Sequence, residues 1–250
     1  MRHLCTVTAY LGLGLANLLF AGLIVIVAFF DRRGRVWWTF ARLWGQTIYA
    51  SAWSPIRSSG FDSLTWDQPC ILMANHESYM DVPAIIAACP VPIRFVARRE
   101  VFKTPIMGQA MWMTGQIPVD RSNREKSIES LRKAAKKIAD GRTVLVFPEG
   151  TRSRDGRLQH FKKGGFMLAI DAQVPIIPIG LSGTRSVVPR GSRSFRPGVV
   201  GLSVGEPIKT HGLTVEDRDH LMEQVHESLM IQKSKAARLC GEKDTVEGNN

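Results

Sequence analysis

His76 and Asp81 are the residues whose types and spacing most directly imply chemistry, in the stretch Cys70 to Asp81, CILMANHESYMD. On one continuous helix, five residues turn through about 500°, which leaves the two side chains roughly 140° apart. They meet only if His76 lies in a loop ahead of the helix. Pro83 fits that arrangement, because proline is tolerated in a helix's first turn and costly deeper in, so a helix should start near Asp81 and run through Val82 to Ala88. A carboxylate that accepts one ring N–H of an imidazole fixes the tautomer and stabilises the imidazolium, which leaves the other nitrogen as a general base. Taken singly the residues say less: Asp81 also suits a helix cap, alone or as the last member of a Ser78-Tyr79-Met80-Asp81 capping box.

The stretch around Glu149 carries a different chemistry. Thr143 to Phe147, TVLVF, reads as a buried strand that delivers Pro148-Glu149-Gly150-Thr151-Arg152-Ser153-Arg154 to the sheet edge, and Lys162 and Lys163 follow at the foot of a helix through Gly164 to Asp171. A glycine turn, a hydroxyl, arginines and a helix N-terminus are the parts of a phosphate site. Backbone N–H groups and the helix dipole favour an anion there, and arginine grips it through two hydrogen bonds. The loop is no P-loop, because the GxxxxGK[ST] spacing is absent. Gly115 to Arg121 reads as a short strand ending in a charged turn, from which Arg121 is able to reach the cleft that holds His76.

These residues need a frame of strands and helices to hold them. Ile71 to Ala74 is an apolar run bounded by turn residues, so it reads as a buried strand with His76 at its C-terminal end, where open α/β sheets place their ligands. Ile93 to Lys103 mixes Phe95, Val96, Val101 and Phe102 with Arg94, Arg98, Arg99 and Lys103, which fits either a strand running into a helix or a basic membrane-surface patch. Ser122 to Asp140 is an amphipathic helix closed by Gly141. In Val174 to Leu181, Pro175 and Pro178 imply a strand that borders an edge or an irregularity. Gly180 to Thr184, GLSGT, comes near a nucleophile elbow and fails at its fifth position, so no covalent serine mechanism is supported. Val199 to Val204 is a last strand, and Thr214 to Gln232 a closing helix opened by the capping box Thr214 to Asp217; Lys233 to Asn250 reads as a disordered tail.

A chain of 250 residues suits one sizeable α/β domain with an appendage. Its 33 Lys and Arg against 22 Asp and Glu, a net charge of +11, imply an anionic partner. Leu4 to Phe30 holds no charged residue, and as a helix it would span roughly 40 Å against a hydrocarbon core of about 30 Å. It reads as a membrane segment, since the apolar run is too long for a signal peptide's core and no small-residue cleavage site follows. Arg32, Arg33 and Arg35 after the segment, against Arg2 before it, place the following domain on the cytosolic side of an inner or cytoplasmic membrane. Arg35 to Trp53, rich in tryptophan, suits either the bilayer interface or a helix packed on the domain. Residues 1–53 thus form the expected anchor, 54–232 the α/β domain and 233–250 the tail. The four cysteines show no paired spacing, and the six histidines show no metal-ligand pattern. A nucleic-acid partner is disfavoured, because the basic residues are dispersed around strand ends and the chain is anchored in lipid.

Four blocks now stand in order: NHESYMD, IPVDR, FPEGTRSR and VPIIPIG, between Asn75 and Gly180. Together they resemble the glycerolipid acyltransferase family, most of all its 1-acyl-glycerol-3-phosphate acyltransferases, and continuing strand and helix patterns extend the likeness from about Trp53 to Gln232. The resemblance implies a mixed-sheet α/β sandwich carrying an N-terminal membrane-anchoring helical segment. It implies His76 as general base, Asp81 as its orienting partner, and Arg121, Glu149, Gly150, Thr151 and Arg152 around the phosphorylated acceptor. The implied reaction is direct attack of the acceptor hydroxyl on an acyl thioester, from acyl-CoA or acyl carrier protein, without an acyl-enzyme, metal or other cofactor. Lysophosphatidic acid would be the acceptor and membrane lipids the surroundings. Lyso-ornithine lipid or glycerol 3-phosphate is the alternative acceptor, and a non-catalytic membrane-anchored lipid or anion binder the alternative of another class.

Overall fold

The computed structural model describes residues 2–31, 34–119 and 124–242. A helical arm comes first: α1 (Arg2–Ala16) passes through a π-helical turn (Asn17–Ala21) into α2 (Gly22–Ala28), and the chain reverses at Gly34 into α3 (Arg35–Ser51). Strands and helices then alternate as β1 (Ile56–Ser59), β2 (Ile71–Ala74), α4 (Asp81–Ala88), β3 (Ile93–Arg98), α5 (Met107–Met113), β4 (Ile117–Val119), α6 (Arg124–Ala139), β5 (Thr143–Val146) and α7 (Gly164–Ala172). The last elements are β6 (Ile176–Ser182), the single turn α8 (Thr184–Val187), β7 (Val200–Val204) and α9 (Arg218–Cys240).

The strands make one seven-stranded sheet in the order β1-β7-β6-β2-β5-β3-β4, with every neighbour parallel except β6 and β7. Such a sheet must be covered on both faces, so its central strands are continuous apolar runs, and β2, β6 and β7 are buried at every residue. Alternate side chains serve the two cores. Leu72, Ala74, Leu145 and Ile179 face α3 and α4, whereas Ile71, Met73, Val144 and Ile176 face α6, α7 and α9. Helices thus cover both faces of the expected mixed sheet.

β6 is an interior strand, between β7 and β2, although it contains Pro178. The irregularity that proline requires is in the neighbouring strand. The Pro178 carbonyl accepts Gly205 N–H at 2.9 Å, and the next pairing is the bridge of Ile176 with Ile208, so residues 206 and 207 bulge out opposite the missing N–H.

Three expectations are corrected. The break at Gln232 does not occur: α9 continues to Cys240, because Gln232, Ala236 and Ala237 are buried against the sheet, and Gly241 (φ +74°) ends the helix. Residues 243–250 lie outside the described part. Nor is the 1–53 arm an appendage, since Trp37, Trp38, Ile48 and Tyr49 belong to the same buried cluster as Leu72 and Ile85. Arg94 is likewise not on a basic face; it is buried beneath Trp37, with its guanidinium 4.8 Å from the ring centroid.

The arm forms a hairpin along the flank of the domain. Small residues on α1, Cys5, Ala9 and Ala16, let it lie close to α3. Leu4, Leu11, Leu15, Leu18, Ile26 and Phe29 stay exposed on its outer side. Arg2–Ala28 is one helix of 27 residues, long and apolar enough to cross a membrane. Both of its ends touch the same domain: Tyr10 O–H donates to Arg193 O at 2.8 Å and Phe195 N–H to Thr6 Oγ1 at 3.1 Å, while α2 packs on α5.

Candidate active site

The end of β2 is fixed by Asn75, whose side chain imitates a peptide group. Its Oδ1 accepts Leu181 N–H at 2.7 Å and its Nδ2 donates to Leu181 O at 3.0 Å, tying the loop that follows to β6. His76 is then delivered over the C-terminal edge of the sheet, stacked on Phe147 with centroids 4.1 Å apart. Its backbone is held from both sides, because His76 N–H donates to Glu149 Oε1 at 2.7 Å and Ser153 N–H donates to His76 O at 2.7 Å.

Asp81 is the first residue of α4 and is fully buried, with His76 Nδ1 2.7 Å from its Oδ2. The carboxylate accepts three further hydrogen bonds: from Glu77 N–H at 2.7 Å, Ser78 N–H at 2.9 Å and Thr184 Oγ1 at 2.5 Å. This is the reaching-back half of the expected capping box. In place of the other half, Asp81 N–H donates to Ser78 O at 3.4 Å, while Ser78 Oγ accepts Met80 N–H at 3.3 Å and donates to Val188 O at 2.8 Å. A carboxylate at Nδ1 favours the tautomer with the proton on that nitrogen, and among the described residues Nε2 meets no hydrogen-bond partner, on a ring whose side chain is 15% exposed. Fourfold hydrogen bonding fixes the Asp81 side chain in place.

Glu149 does not face outward. It is 3% exposed, and its second oxygen accepts Gln159 N–H at 3.1 Å, so both oxygens are occupied in holding backbone behind the catalytic loop. Burial pushes its carboxyl up to about 7, against the pull of those two N–H groups. Gly150 turns the chain at φ +70° beneath the Lys162 side chain, and Thr151 is exposed. Arg152 is half-buried, its guanidinium 3.5 Å from the Tyr79 ring centroid, and among the described residues no carboxylate pairs with it. Arg121 lies outside the described residues.

Residues with no signal of their own complete the site. Thr184 comes from the discarded GLSGT elbow, where it stands at the position an elbow gives to glycine, and it grips Asp81. Ser182 of the same run is buried and donates to Glu242 at 2.7 Å, so no nucleophile is presented. Glu77 is buried beside Asn75 and paired with Lys233 of α9 at 2.6 Å. Among the described residues no cluster of His, Cys, Asp and Glu is placed to hold a metal ion.

The chain is 27% identical to a 1-acyl-sn-glycerophosphate (LPA) acyltransferase, PlsC, from Thermotoga maritima, whose crystal structure superposes with a TM-score of 0.81 over 95% of each chain. It is 34% identical over 207 residues to the 1-acyl-sn-glycerol-3-phosphate acyltransferase BAT2, chloroplastic, of Brassica napus, covering 80% of this chain and 59% of that one. With the human 1-acyl-sn-glycerol-3-phosphate acyltransferase alpha the identity is 34%, over 65% of this chain and 58% of the relative. The chain thus spans about three fifths of the length of these curated relatives. Residues 55–182, which include His76, Asp81, Glu149 and Arg152, match the Acyltransferase family model, and the chain belongs to that family.

Proposed function

We propose that the protein transfers a fatty acyl group from an acyl thioester, on coenzyme A or acyl carrier protein, to the sn-2 hydroxyl of 1-acyl-glycerol 3-phosphate, making phosphatidic acid. The observation that carries this reading is the oriented His76–Asp81 pair with Arg152 on the adjoining loop. The hydroxyl proton passes to His76 Nε2 as its oxygen attacks the thioester carbonyl. Asp81, bonded to Nδ1, stabilises the imidazolium that results. Collapse of the tetrahedral intermediate breaks the carbon–sulfur bond, and the departing thiolate takes the proton back. Arg152 binds the acceptor's phosphate, with the α7 N-terminus and Lys162 contributing positive potential. Glu149 positions His76 and leaves the phosphate to the cations, a change from the role that the resemblance implies for it.

The acceptor is a membrane lipid, and the exposed apolar side of the hairpin holds the site at the bilayer. Both ends of Arg2–Ala28 are fastened to one domain, which favours insertion from the cytosolic side over a helix with its ends on opposite sides.

The deciding experiment offers purified enzyme lysophosphatidic acid, lyso-ornithine lipid and glycerol 3-phosphate, each with acyl-CoA and with acyl carrier protein. Phosphatidic acid should be the principal product. Preference for either other acceptor would reassign the substrate, and inactivity with all pairs of an enzyme shown to be folded would reject catalysis.

A further inference from the structure

α9 crosses the face of the sheet opposite α4, and it lies unusually close. A Cβ on Gly180 would stand 2.1 Å from the Gln232 carbonyl carbon and 2.2 Å from Lys233 N, and one on Gly201 would stand 2.1 Å from Ala236 O. The helix backbone therefore rests directly on β6 and β7, and Ser203 Oγ donates to Gln232 Oε1 at 2.8 Å to fix its register. From that position Lys233 reaches the back of the catalytic loop. Its Nζ is 2.6 Å from Glu77 Oε1 and also donates to the carbonyl of Gly156. The Glu77 end belongs to the loop of His76, since Glu77 N–H donates to Asp81 Oδ2 and Asn75 Nδ2 donates to Glu77 Oε1 at 3.1 Å. The Gly156 end belongs to the loop of Arg152, closed by Gly156 N–H donating to Ser153 Oγ at 3.0 Å.

We infer that Lys233 is a positioning residue for the acyl transfer, which clamps the His76 loop to the Arg152 loop from behind the sheet. The inference rests on the reaction proposed above, and neither end of the clamp touches substrate. Electrostatics gives the clamp its strength. Burial pushes the Glu77 carboxyl up, Lys233 draws it back down, and Asp81 and Glu242 push it up again; Glu149 feels Glu77 and Lys233 in the same senses. Removal of the ammonium leaves Glu77 buried and uncompensated within a group of carboxylates, a far costlier state than removal of both partners. Any shift of Glu77 is passed to the His76 loop, because Glu77 N–H is one of the donors that fix Asp81, and a displacement of about 1 Å at a catalytic group costs on the order of 100-fold in rate.

The test is a double-mutant cycle of Lys233→Met and Glu77→Gln, with Lys233→Arg as the conservative control, on full-length enzyme in detergent. Turnover and KM for 1-acyl-glycerol 3-phosphate are measured with whichever thioester the wild type uses, beside a thermal melt. Wild-type activity on that acceptor tests the proposed reaction; ratios between variants test the clamp. Lys233→Met should lower kcat roughly 10- to 100-fold and raise the acceptor KM, and Lys233→Arg should stay within about threefold of wild type. Glu77→Gln alone should also lower kcat, and adding it to Lys233→Met should raise the melting temperature, because no buried charge is then left unpaired, without restoring wild-type kcat, because the loops are still not joined. Should Lys233→Met fail to fold, the double variant is compared with Glu77→Gln alone, and about equal turnover in the two supports the clamp. A folded Lys233→Met with wild-type kcat and KM, or a double variant at least tenfold below Glu77→Gln, overturns it.

Discussion

As the proposed base, His76 depends on geometry supplied by its neighbours, so substitutions around it separate chemistry from support. A general base contributes typically 10²- to 10⁴-fold, and His76→Ala should lose kcat within that range with an unchanged melting temperature. Asp81→Asn should lose a comparable amount, because an amide both unsettles the tautomer and fails to match four donors. Near wild-type turnover from folded His76→Ala would remove the base assignment. Glu149 makes a thermodynamic prediction. Its folded value of about 7 lies above its ordinary value of 4.5, so between those limits the folded protein binds more protons than the unfolded chain. Stability therefore falls as pH rises through that window. Glu149→Gln should flatten the slope of melting temperature against pH from about 5 to about 7, and an unaltered slope would show that other groups set it.

Elements decide how closely these residues are held. Gly180 and Gly201 let α9 rest on the strands, and Gly180→Ala forces a Cβ into the helix backbone, where no side chain is free to yield. We expect a loss of at least the 1–3 kcal/mol usual for overpacking, read as a lower denaturant midpoint, with weakened activity as Lys233 withdraws. A midpoint equal to wild type would mean that the helix shifts without cost. Much of this frame is legible in the sequence for a simple reason: parallel strands buried on both faces are unbroken apolar runs, as in Ile71–Ala74 and Ile176–Ser182. The pair His76 and Asp81 is legible too, because a five-residue spacing with Pro83 behind it restricts where a helix begins. What is hidden joins residues far apart in the chain. Thr184 meets Asp81 across 103 residues and Lys233 lies against Glu77 and Gly156, the latter 77 residues away, and neither has a local pattern to announce it. The end of α9 was hidden differently, since Lys233 to Leu239 is mostly polar and alanine, and only its close approach to glycine strands makes so small an apolar face sufficient. Arg94 misled by its type, because an aromatic ring permits a guanidinium to be buried.

At the scale of the whole molecule, the hairpin and the basic domain would attach to a membrane by different physics. Lysines and arginines at an anionic surface contribute about 1 kcal/mol each and are screened over roughly 8 Å at physiological ionic strength, whereas buried apolar surface is indifferent to salt. Deleting residues 1 to 30 should convert salt-resistant attachment into binding that high salt strips from vesicles. A truncated protein that stays bound through that wash would move the anchor to the tryptophan-rich α3. The hairpin's fastening to the domain also has a consequence in time. Thr6 is bonded to Phe195, 189 residues later. At roughly 5–20 residues per second a ribosome needs about 10–40 s to cover that interval. Throughout it the helix has its apolar outer side made and its docking loop not yet translated. A bilayer is a surface able to hold such a helix so early, which would make the membrane a participant in biosynthesis before it is a source of substrate. Ribosome-bound chains halted after residue 120 should accordingly sediment with vesicles, and their remaining in the supernatant would show that the helix waits elsewhere.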